Sequence, residues 1–315
     1  MIEILTVTMN PAIDIATRIA RLTSGRKLRC DEPRLDPGGG GVNVSRAIKE
    51  LGGKSTPFIA VGGMTGDLLV QLLAEHGIDP VCFAIDGLTR QSFAVLEDES
   101  GQQYRFVLPG PKWPDSLWQE ALAEMATLAR DTKYIVVSGS LPPGIPDDFH
   151  ASLTTAVGSS GAHVVLDTSG PALKAAVSPG KPEIHCIRMN RVEAEYLAGR
   201  SLEDPNEEMA FAQGLVNRHA ASIVIVTSEQ RGALLATRDE AFRIGPPHVE
   251  KVSAVGAGDS FVAAFTLGMA GNWSLRKACS YAVAAATSAV TTAATELCRR
   301  ADTERYFKAI TGSCA

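Results

Sequence analysis

Short apolar runs alternate with longer stretches of helical periodicity along most of the chain. The apolar runs predict β-strands at Ile4–Val7, Thr56–Val61, Tyr134–Val137, Val164–Leu166 and Ile223–Val226. Between them, apolar residues at helical spacing predict helices at Val42–Leu51, Leu68–His76 and Phe149–Val157. Strands that alternate with helices form a largely parallel sheet covered by helices on both faces, so we expect an α/β fold.

Two regions depart from this alternation. Ser92–Glu97 and Gln103–Val107 flank a short polar turn and predict a β-hairpin. Upstream, Asp14–Arg18 and Lys27–Leu35 also look extended. These four pieces predict a small antiparallel sheet that projects from the main body as a lid. Because no Pro-, Gly- or Ser-rich linker separates two large halves, we expect one domain over residues 1–315, with lid strands within 14–36 and 90–108.

A glycine-rich turn carries a carboxylate near the end of the chain. Gly256, Ala257, Gly258 and Asp259 lead directly into a helical pattern that runs to Met269. Backbone N–H groups at a helix start favour an anion such as a phosphate, and Asp259 beside it could accept a proton from an attacking hydroxyl. Alternatively, Asp259 is an ordinary first-turn residue and the glycines only permit tight packing. The turn alone does not decide between these interpretations.

A second glycine-rich segment, Gly38 to Gly41, precedes the helix predicted from Val42. Four successive glycines cost backbone entropy and indicate either an unusually tight path or contact with a ligand. The segment does not fit G-x-G-x-x-G, and Gly53-Lys54-Ser55 lacks the first glycine of a P-loop because Ile48 stands at that position, so both common nucleotide fingerprints are absent. Asn43 follows in the first turn, where its amide suits a ligand rich in hydroxyl groups. The alternative is a flexible loop before a helix.

Composition narrows the class of protein. Among 315 residues, 45% are hydrophobic, 21% are charged and the net charge is -5, which argues against a nucleic-acid-binding protein. The first residues do not resemble a signal peptide, and the Ala-rich run 282–294 predicts a buried helix, so we expect no membrane partner. The six cysteines show no C-x-x-C spacing, which indicates neither a disulfide framework nor structural zinc and favours a cytoplasmic location.

Taken together, these motifs resemble the pfkB (ribokinase-like) family of carbohydrate kinases. The blocks Gly38–Arg46 and Val255–Phe261 match its two signatures in order. Further segments place the chain nearest the branch of 6-phosphofructokinases and related hexose-phosphate kinases; they are Thr8–Asp14, Gly25–Cys30, Thr89–Gln91, Gln103–Gly110 and Ser138–Gly144.

The resemblance implies a three-layer αβα sandwich, a mostly parallel central sheet, a β-sheet lid often shared across a homodimer, and MgATP-dependent phosphoryl transfer to a sugar hydroxyl. It assigns Asp259 as the general base and the N–H groups of Gly256, Ala257 and Gly258 as the anion hole. The sugar-binding positions it implies are Asp14, Gly38, Gly39, Asn43 and Ser140. Lys27, Arg29, Arg90 and Arg105 would hold the phosphate on the substrate, although each alone is typical of a solvated surface charge.

The nucleotide and metal positions follow from the same resemblance. The ATP-binding residues it implies are Arg188, Asn190, Thr227, Glu229, Gly232, Val283 and Thr287. Glu193, which completes an N-x-x-E motif, would hold Mg²⁺ through water, with Asp167 as a further candidate; a solvated helix start is the alternative for Asn190 and Glu193.

Several of these positions depart from the family pattern. Arg188-Met189 replaces Lys-Pro, and Glu229 replaces a glycine, which puts a negative charge near the phosphates. Ser253 and Val255 would bind K⁺ in this branch. Residues 291–296 lack the usual composition of the loop that completes this site, and Glu296 could disturb it, so the sequence argues against a potassium requirement.

The sequence therefore predicts an ATP-dependent kinase that phosphorylates the 1-hydroxyl of fructose 6-phosphate. Tagatose-6-phosphate kinase and 1-phosphofructokinase remain open, because these acceptors differ by one stereocentre or by the end that bears phosphate. A non-catalytic nucleotide or sugar-phosphate sensor is the alternative of another class. The lid residues Phe93, Val95, Tyr104 and Phe106 predict a homodimer formed through the lid, because a lone hairpin would leave their apolar faces in water.

Overall fold

The computed structural model describes residues 2–293 and 295–312. The strands are β1 (Ile2–Thr8), β2 (Ala12–Ile19), β3 (Arg34–Gly38), β4 (Thr56–Val61), β5 (Val81–Ala84), β6 (Arg90–Glu97), β7 (Gln103–Val107), β8 (Thr132–Ser138), β9 (His163–Asp167), β10 (Ile184–Asn190), β11 (Ala221–Ser228), β12 (Gly232–Ala236) and β13 (Ala241–Ile244). The helices are α1 (Gly40–Glu50), α2 (Gly63–Glu75), α3 (Asp115–Leu128), α4 (Phe149–Val157), α5 (Gly170–Ala176), α6 (Arg191–Ala198), α7 (Pro205–Asn217), α8 (Ala257–Ala270), α9 (Leu275–Val290) and α10 (Arg300–Gly312).

Within the part of the chain that the structure describes, the larger sheet has nine strands in the order β13-β12-β11-β10-β9-β8-β1-β4-β5. From β5 to β11 every neighbouring pair is parallel, and β12 and β13 extend the sheet antiparallel. The predicted strands Thr56–Val61 and Gln103–Val107 and the predicted helix Phe149–Val157 have the observed bounds. The other elements of the alternating strand and helix pattern are present with ends that differ by up to five residues, whereas the Ala-rich run 282–294 falls largely in α9, which begins at Leu275 and ends at Val290.

Successive side chains of the sheet supply two separate cores. On β1, Leu5 and Val7 pack with residues of α3, α4 and α5, whereas Ile4 packs with residues of α1, α8 and α9. This alternation is what a strand buried on both faces requires. Helices therefore cover both faces, and the predicted three-layer αβα sandwich is confirmed. Among the described helices, none is long and apolar enough to cross a membrane.

The smaller sheet is the predicted lid, in the order β3-β2-β6-β7. Two corrections apply to it. The expected extended piece Lys27–Leu35 is wrong in its bounds, because residues 27–33 form no regular element and β3 runs from Arg34 to Gly38. The sheet is also not wholly antiparallel, because its central strands β2 and β6 pair in parallel. This pairing joins two segments separated by 70 residues, and no local sequence pattern reports it.

Candidate active site

Polar side chains gather where the parallel strands of the large sheet end. Ser138 is the last residue of β8, Asp167 is the last residue of β9, and Thr227 is the penultimate residue of β11. Asn190 closes β10 and is also the N-cap of α6. In open α/β sheets, ligands bind outside the carboxyl ends of the strands, so this edge is the candidate site.

The glycine-rich turn forms the start of α8 at this same edge. Gly256 is the N-cap, with φ of 75°, a left-handed conformation that favours glycine. The N–H of Ser260 donates to the Gly256 carbonyl at 2.8 Å and closes the first helical turn. The N–H groups of Ala257, Gly258 and Asp259 precede that bond and have no carbonyl within the helix to pair with. They form a cradle of donors at the positive end of the helix dipole.

Asp259 lies in the first turn of α8, partly buried. Burial, and then the nearby Asp167, raise the pKa of its carboxyl from 3.8 to about 7. Two groups oppose the rise: the Asn43 amide, whose Nδ2 donates to Asp259 Oδ2 at 2.9 Å, and the Arg188 guanidinium. A carboxylate whose pKa is near neutrality can exchange a proton with a hydroxyl close to physiological pH.

Close packing explains the four-glycine segment. Gly38 ends β3, while Gly40 and Gly41 already belong to α1, so the segment is not a loop before the helix. A Cβ at Gly41 would lie 2.5 Å from the Val7 carbonyl oxygen, and one at Gly38 would overlap the Asp14 carboxylate. The glycines let α1 lie against the end of β1 and let β3 pass beside Asp14. The structure therefore shows a tight path rather than a flexible loop before a helix, and contact of Gly38 and Gly39 with a ligand stays a prediction.

A cavity of about 550 Å³ opens between the lid and the body. Asn10, Arg90 and Ser140 line it, and Asn10 Nδ2 donates to Ser140 Oγ at 3.2 Å. Arg90 Nε donates to the Asn10 carbonyl at 3.1 Å, which fixes the guanidinium at the cavity wall. Burial raises the pKa of Asp14, and Arg90 and Arg105 oppose that rise. A cation held at a cavity wall, with carboxylate, amide and hydroxyl groups near it, suits a phosphorylated sugar.

The other predicted phosphate ligands do not line this cavity, although Arg105 interacts electrostatically with Asp14 and Arg90. Lys27 and Arg29 are exposed in the irregular segment between β2 and β3, and Arg105 is exposed on β7. Among the described residues that line the cavity, Arg90 is the one predicted cation. The structure thus places Arg90 and Ser140 at this cavity, with Asp14 close enough to Arg90 to interact electrostatically, and leaves Lys27 and Arg29 exposed between β2 and β3.

Arg188, on β10, contacts three neighbouring elements at this edge of the sheet: β9, β11 and the start of α8. Its NH1 donates to Asp167 Oδ1 at 3.1 Å, and its NH2 donates to Thr227 Oγ1 at 2.6 Å. A Cβ at Gly258 would lie 2.8 Å from the same NH1, so the guanidinium lies directly against the first turn of α8. Its buried Nε has no partner among the described residues. An unpaired donor on a cation beside a helix N-terminus fits an anionic ligand.

Asn190 and Glu193 form a reciprocal capping box at the start of α6. Asn190 Oδ1 accepts from the Glu193 N–H at 2.9 Å, and Glu193 Oε2 accepts from the Asn190 N–H at 2.7 Å. Burial raises the pKa of Glu193, and its carboxyl interacts electrostatically with Asp167 and Arg188. Among the described residues no three His, Cys, Asp or Glu side chains cluster as a metal site. Because Mg²⁺ keeps several of its waters, its binding by Glu193 and Asp167 through water stays a prediction.

The turn between β11 and β12 carries Glu229 and ends at Gly232. Both Glu229 carboxylate oxygens accept from Lys251 Nζ at 2.8 Å, so the negative charge that departs from the family pattern has a cationic partner. A Cβ at Gly232 would collide with the Ile244 carbonyl oxygen. The residue is therefore glycine because β12 and β13 approach closely there, whatever its role toward a nucleotide.

Two further positions predicted to bind nucleotide, Val283 and Thr287, are inside α9. They are 3% and 4% exposed, Val283 belongs to the core shared with α8, and Thr287 Oγ1 donates to the Val283 carbonyl at 2.8 Å. The structure offers no open surface at either side chain. Their nucleotide contact stays a prediction that the observed packing does not favour.

The predicted potassium loop is held by protein contacts. The N–H groups of Val252 and Ser253 donate to the Val290 carbonyl, and the Val255 N–H donates to Ser253 Oγ at 3.2 Å. Glu296 pairs with Arg299 at 2.6 Å and with Arg34 at 3.6 Å, so its charge has cationic partners. The doubt about potassium stays a prediction, and part of the loop, residue 294, lies outside the described residues.

Four residues that contact predicted site residues, or partners of them, are not themselves predicted from the sequence: Asn10, Asp36, Arg46 and Lys251. Asn10 and Arg46 lie inside the motif blocks Thr8–Asp14 and Gly38–Arg46, within four residues of a predicted site residue. Asp36 stands two residues before the glycines, a position typical of an ordinary turn residue. Lys251 offers no local signal, because its partner is 22 residues away in a different element.

The profile of the "pfkB family carbohydrate kinase" matches residues 7–302 of this chain. The chain belongs to the pfkB family. The ATP-dependent 6-phosphofructokinase isozyme 2 of Mycobacterium tuberculosis strain H37Rv is 39% identical over 306 residues, which cover 97% of this chain and 89% of that protein. The 1-phosphofructokinase of Xanthomonas campestris pv. campestris is 33% identical over 83% of this chain and 82% of that protein.

A solved structure gives the same assignment. The crystal structure of phosphofructokinase-2 from Escherichia coli in complex with fructose-6-phosphate superimposes with a TM-score of 0.91 at 35% identity, covering 99% of this chain and all of that chain. The predicted family and ribokinase-like fold are confirmed, and the chain is a carbohydrate kinase of this family.

Proposed function

We propose that this protein transfers the γ-phosphoryl group of MgATP to the 1-hydroxyl of fructose 6-phosphate. The observation that carries the proposal is the first turn of α8, where Asp259 lies beside free N–H groups and Arg188 packs against Gly258. A base, an anion cradle and a cation at one point are the parts that phosphoryl transfer needs. The names of the relatives support the choice of a phosphorylated hexose as acceptor.

On the acceptor side, Arg90 binds the phosphate of the sugar through its guanidinium, which the Asn10 carbonyl holds at the cavity wall. Asp14 accepts hydrogen bonds from sugar hydroxyls, because its carboxylate is a pure acceptor when ionised. Ser140 contributes a hydroxyl at the same wall. Together these groups orient the 1-hydroxyl toward α8.

On the chemical side, Asp259 accepts the proton of the 1-hydroxyl as its oxygen attacks phosphorus. The Asn43 amide occupies Asp259 Oδ2 and leaves Oδ1 for the acceptor. Negative charge that develops on the phosphoryl oxygens meets the N–H groups of Ala257 and Gly258 and the guanidinium of Arg188. Removing the base should lower the rate by about 10²–10⁴-fold.

The donor side fits MgATP by the chemistry of its side chains. When bound, Mg²⁺ supplies neutralisation of the β- and γ-phosphate oxygens. Asp167 and Glu193 would hold it through water, as two carboxyl groups that interact with each other across the strand ends. Arg188, Asn190 and Thr227 orient the phosphates from the ends of β10 and β11.

A coupled assay of ADP release tests the proposal against its alternatives. We expect the highest kcat/KM with fructose 6-phosphate, compared with tagatose 6-phosphate and fructose 1-phosphate, and loss of turnover in Asp259→Asn. A higher kcat/KM with either other sugar phosphate would replace the acceptor and keep the chemistry. Binding of ATP and sugar phosphate by the unmodified protein without turnover would favour the sensor.

We also infer that two copies associate through their lids. Phe106 and Val107 on the edge strand β7 are 51% and 61% exposed, and Leu35 on the opposite edge strand is 39% exposed. Exposed apolar side chains on unpaired edge strands favour a partner surface. One predicted contact requires correction, because Val95 is only 8% exposed and is buried within its own chain.

A further inference from the structure

A buried chain of polar contacts lies behind the candidate base. Asp36 on β3 is 3% exposed, and Arg46 on α1 is 7% exposed. Arg46 NH2 contacts Asp36 Oδ1 at 3.4 Å, and Arg46 NH1 donates to the Pro37 carbonyl at 3.0 Å and to Asn43 Oδ1 at 3.2 Å. Asn43 Nδ2 in turn donates to Asp259 Oδ2 at 2.9 Å. Side chains from β3, α1 and α8 are therefore connected in one line.

The direction of these hydrogen bonds follows from the chemistry of Arg46. A guanidinium has donors only, so the Asn43 atom that faces it must be the carbonyl oxygen. The amide nitrogen then faces Asp259, which favours the ionised carboxylate. With the amide rotated by half a turn, Oδ1 would face the carboxylate and repel it. Arg46 thus excludes the orientation that is unfavourable for a base.

Asp36 holds Arg46 in place from the other side. Its carboxylate accepts from Arg34 Nε at 2.8 Å and from the Thr295 hydroxyl, as well as contacting Arg46. Burying the charge of Arg46 without a carboxylate partner would strongly destabilise the folded protein, so Asp36 is needed to keep the guanidinium in this position. Desolvation lowers the pKa of Arg46 while Asp36 opposes that change, and the guanidinium stays charged.

We propose that Arg46 is a positioning residue for proton transfer: held by Asp36, it fixes the Asn43 amide so that Nδ2 donates to Asp259. The proposal rests on the proposed role of Asp259 as the base. The other charged groups that act on Asp259 are Asp167 and Asp14, which disfavour its ionised form, and Arg188, which favours it. None of these three is hydrogen-bonded to Arg46 among the described residues, although Asp14 interacts with it electrostatically, so the Asn43 amide is the hydrogen-bonded route from Arg46 to Asp259.

The pH dependence of kcat/KM separates this role from a merely structural one. In Arg46→Met the Asn43 amide is no longer fixed as a donor to Asp259, so the ionised form of Asp259 is less favoured. We expect the acid limb of the kcat/KM profile to move to a pH about one unit higher and kcat to fall at least about tenfold. Arg34→Met is the matched control, since Arg34 also pairs with Asp36 but does not contact Asn43. It should leave the acid limb in place. An equal shift in both variants would assign the effect to charge and overturn the proposal.

A double-mutant cycle with Asn43→Leu tests the route itself. If Arg46 acts through Asn43, adding Arg46→Met to Asn43→Leu produces no further shift of the acid limb. A full additional shift would overturn the proposal, as would Arg46→Met with lowered kcat and an unmoved limb. Should Arg46→Met fail to fold, Arg46→Lys carries the same test, because one ammonium cannot reproduce the fork that spans Asp36 and Asn43.

The structure also offers a chemical rescue. Arg46 lines a separate cavity of about 280 Å³, bounded also by Arg34, His76 and Glu296. In Arg46→Ala we expect millimolar guanidinium to enter there, restore part of kcat and return the acid limb toward its original position. Urea, a neutral molecule of similar shape, should not; equal effects of both, or none from guanidinium, would count against the proposal. Full activity of Asp259→Asn would instead defeat the proposed function, independently of Arg46.

Discussion

Replacing the candidate base with asparagine should make the protein more stable at the pH where it works. The pKa of Asp259 is raised from 3.8 to about 7, because folding removes its carboxyl from water beside Asp167. A rise of about 3 units at about 1.4 kcal/mol each sets an upper limit of about 4 kcal/mol for the cost of ionised Asp259. Since the side chain keeps some access to solvent, we expect Asp259→Asn to gain about 2 kcal/mol at pH 8.

The pH dependence gives this prediction its sign. The folded-state pKa lies above the unfolded one, so the penalty is fully present above pH 7 and disappears as pH falls from 7 toward 4. Urea denaturation of both proteins without ligands at pH 8, 6 and 4.5 should therefore show a stability difference that shrinks with acidity. Asp239→Asn, at an exposed position, controls for the removal of a charge alone. Equal stabilities at pH 8, or a gain that increases toward acid pH, would refute the reasoning.

Three further changes test separate parts of the site. Gly258→Ala places a methyl group against the Arg188 guanidinium, so kcat should fall about 10–100-fold while the KM for the sugar phosphate stays nearly constant, as steady-state kinetics would show. Arg90→Ala removes the cation of the acceptor cavity and should raise that KM by about tenfold or more, with a smaller effect on the KM for ATP. Phe106→Glu places a charge on the exposed lid edge and should shift the sedimentation coefficient from dimer to monomer; a monomeric unmodified protein at micromolar concentration would defeat the inferred association.

The fold was largely predictable because its strands are short, apolar and separated by helical patterns. The bounds of Thr56–Val61 and Phe149–Val157 were correct, since polar or glycine-containing segments flank both. The lid was predicted less well. Residues 27–33 alternate in character without forming a ladder, and the parallel pairing of β2 with β6 depends on tertiary contacts that local periodicity does not encode.

Site residues that lie within a local sequence motif could be predicted, as Asp259 was from the glycine-rich turn before it. Their contacts could not, because they join distant segments: Asn43 and Asp259 are 216 residues apart, and Asp36 and Thr295 are 259 apart. In the sequence, Arg46 is only the last residue of the signature block Gly38–Arg46. Its burial, which gives it a role, depends on β3 and on the segment after α9 packing around α1.

The residues proposed to bind the sugar phosphate and those proposed to carry out phosphoryl transfer lie largely in different parts of the molecule. Asp14 and Arg90 lie near the starts of the lid strands β2 and β6, and Gly38 ends the lid strand β3, whereas Asp259 and Arg188 belong to the layered body. Three of the proposed acceptor contacts therefore come from the lid strands, and Ser140, just after β8, adds one from the body. Acceptor preference can therefore change through substitutions at the ends of these three lid strands, without any change in Asp259, Arg188 or the first turn of α8.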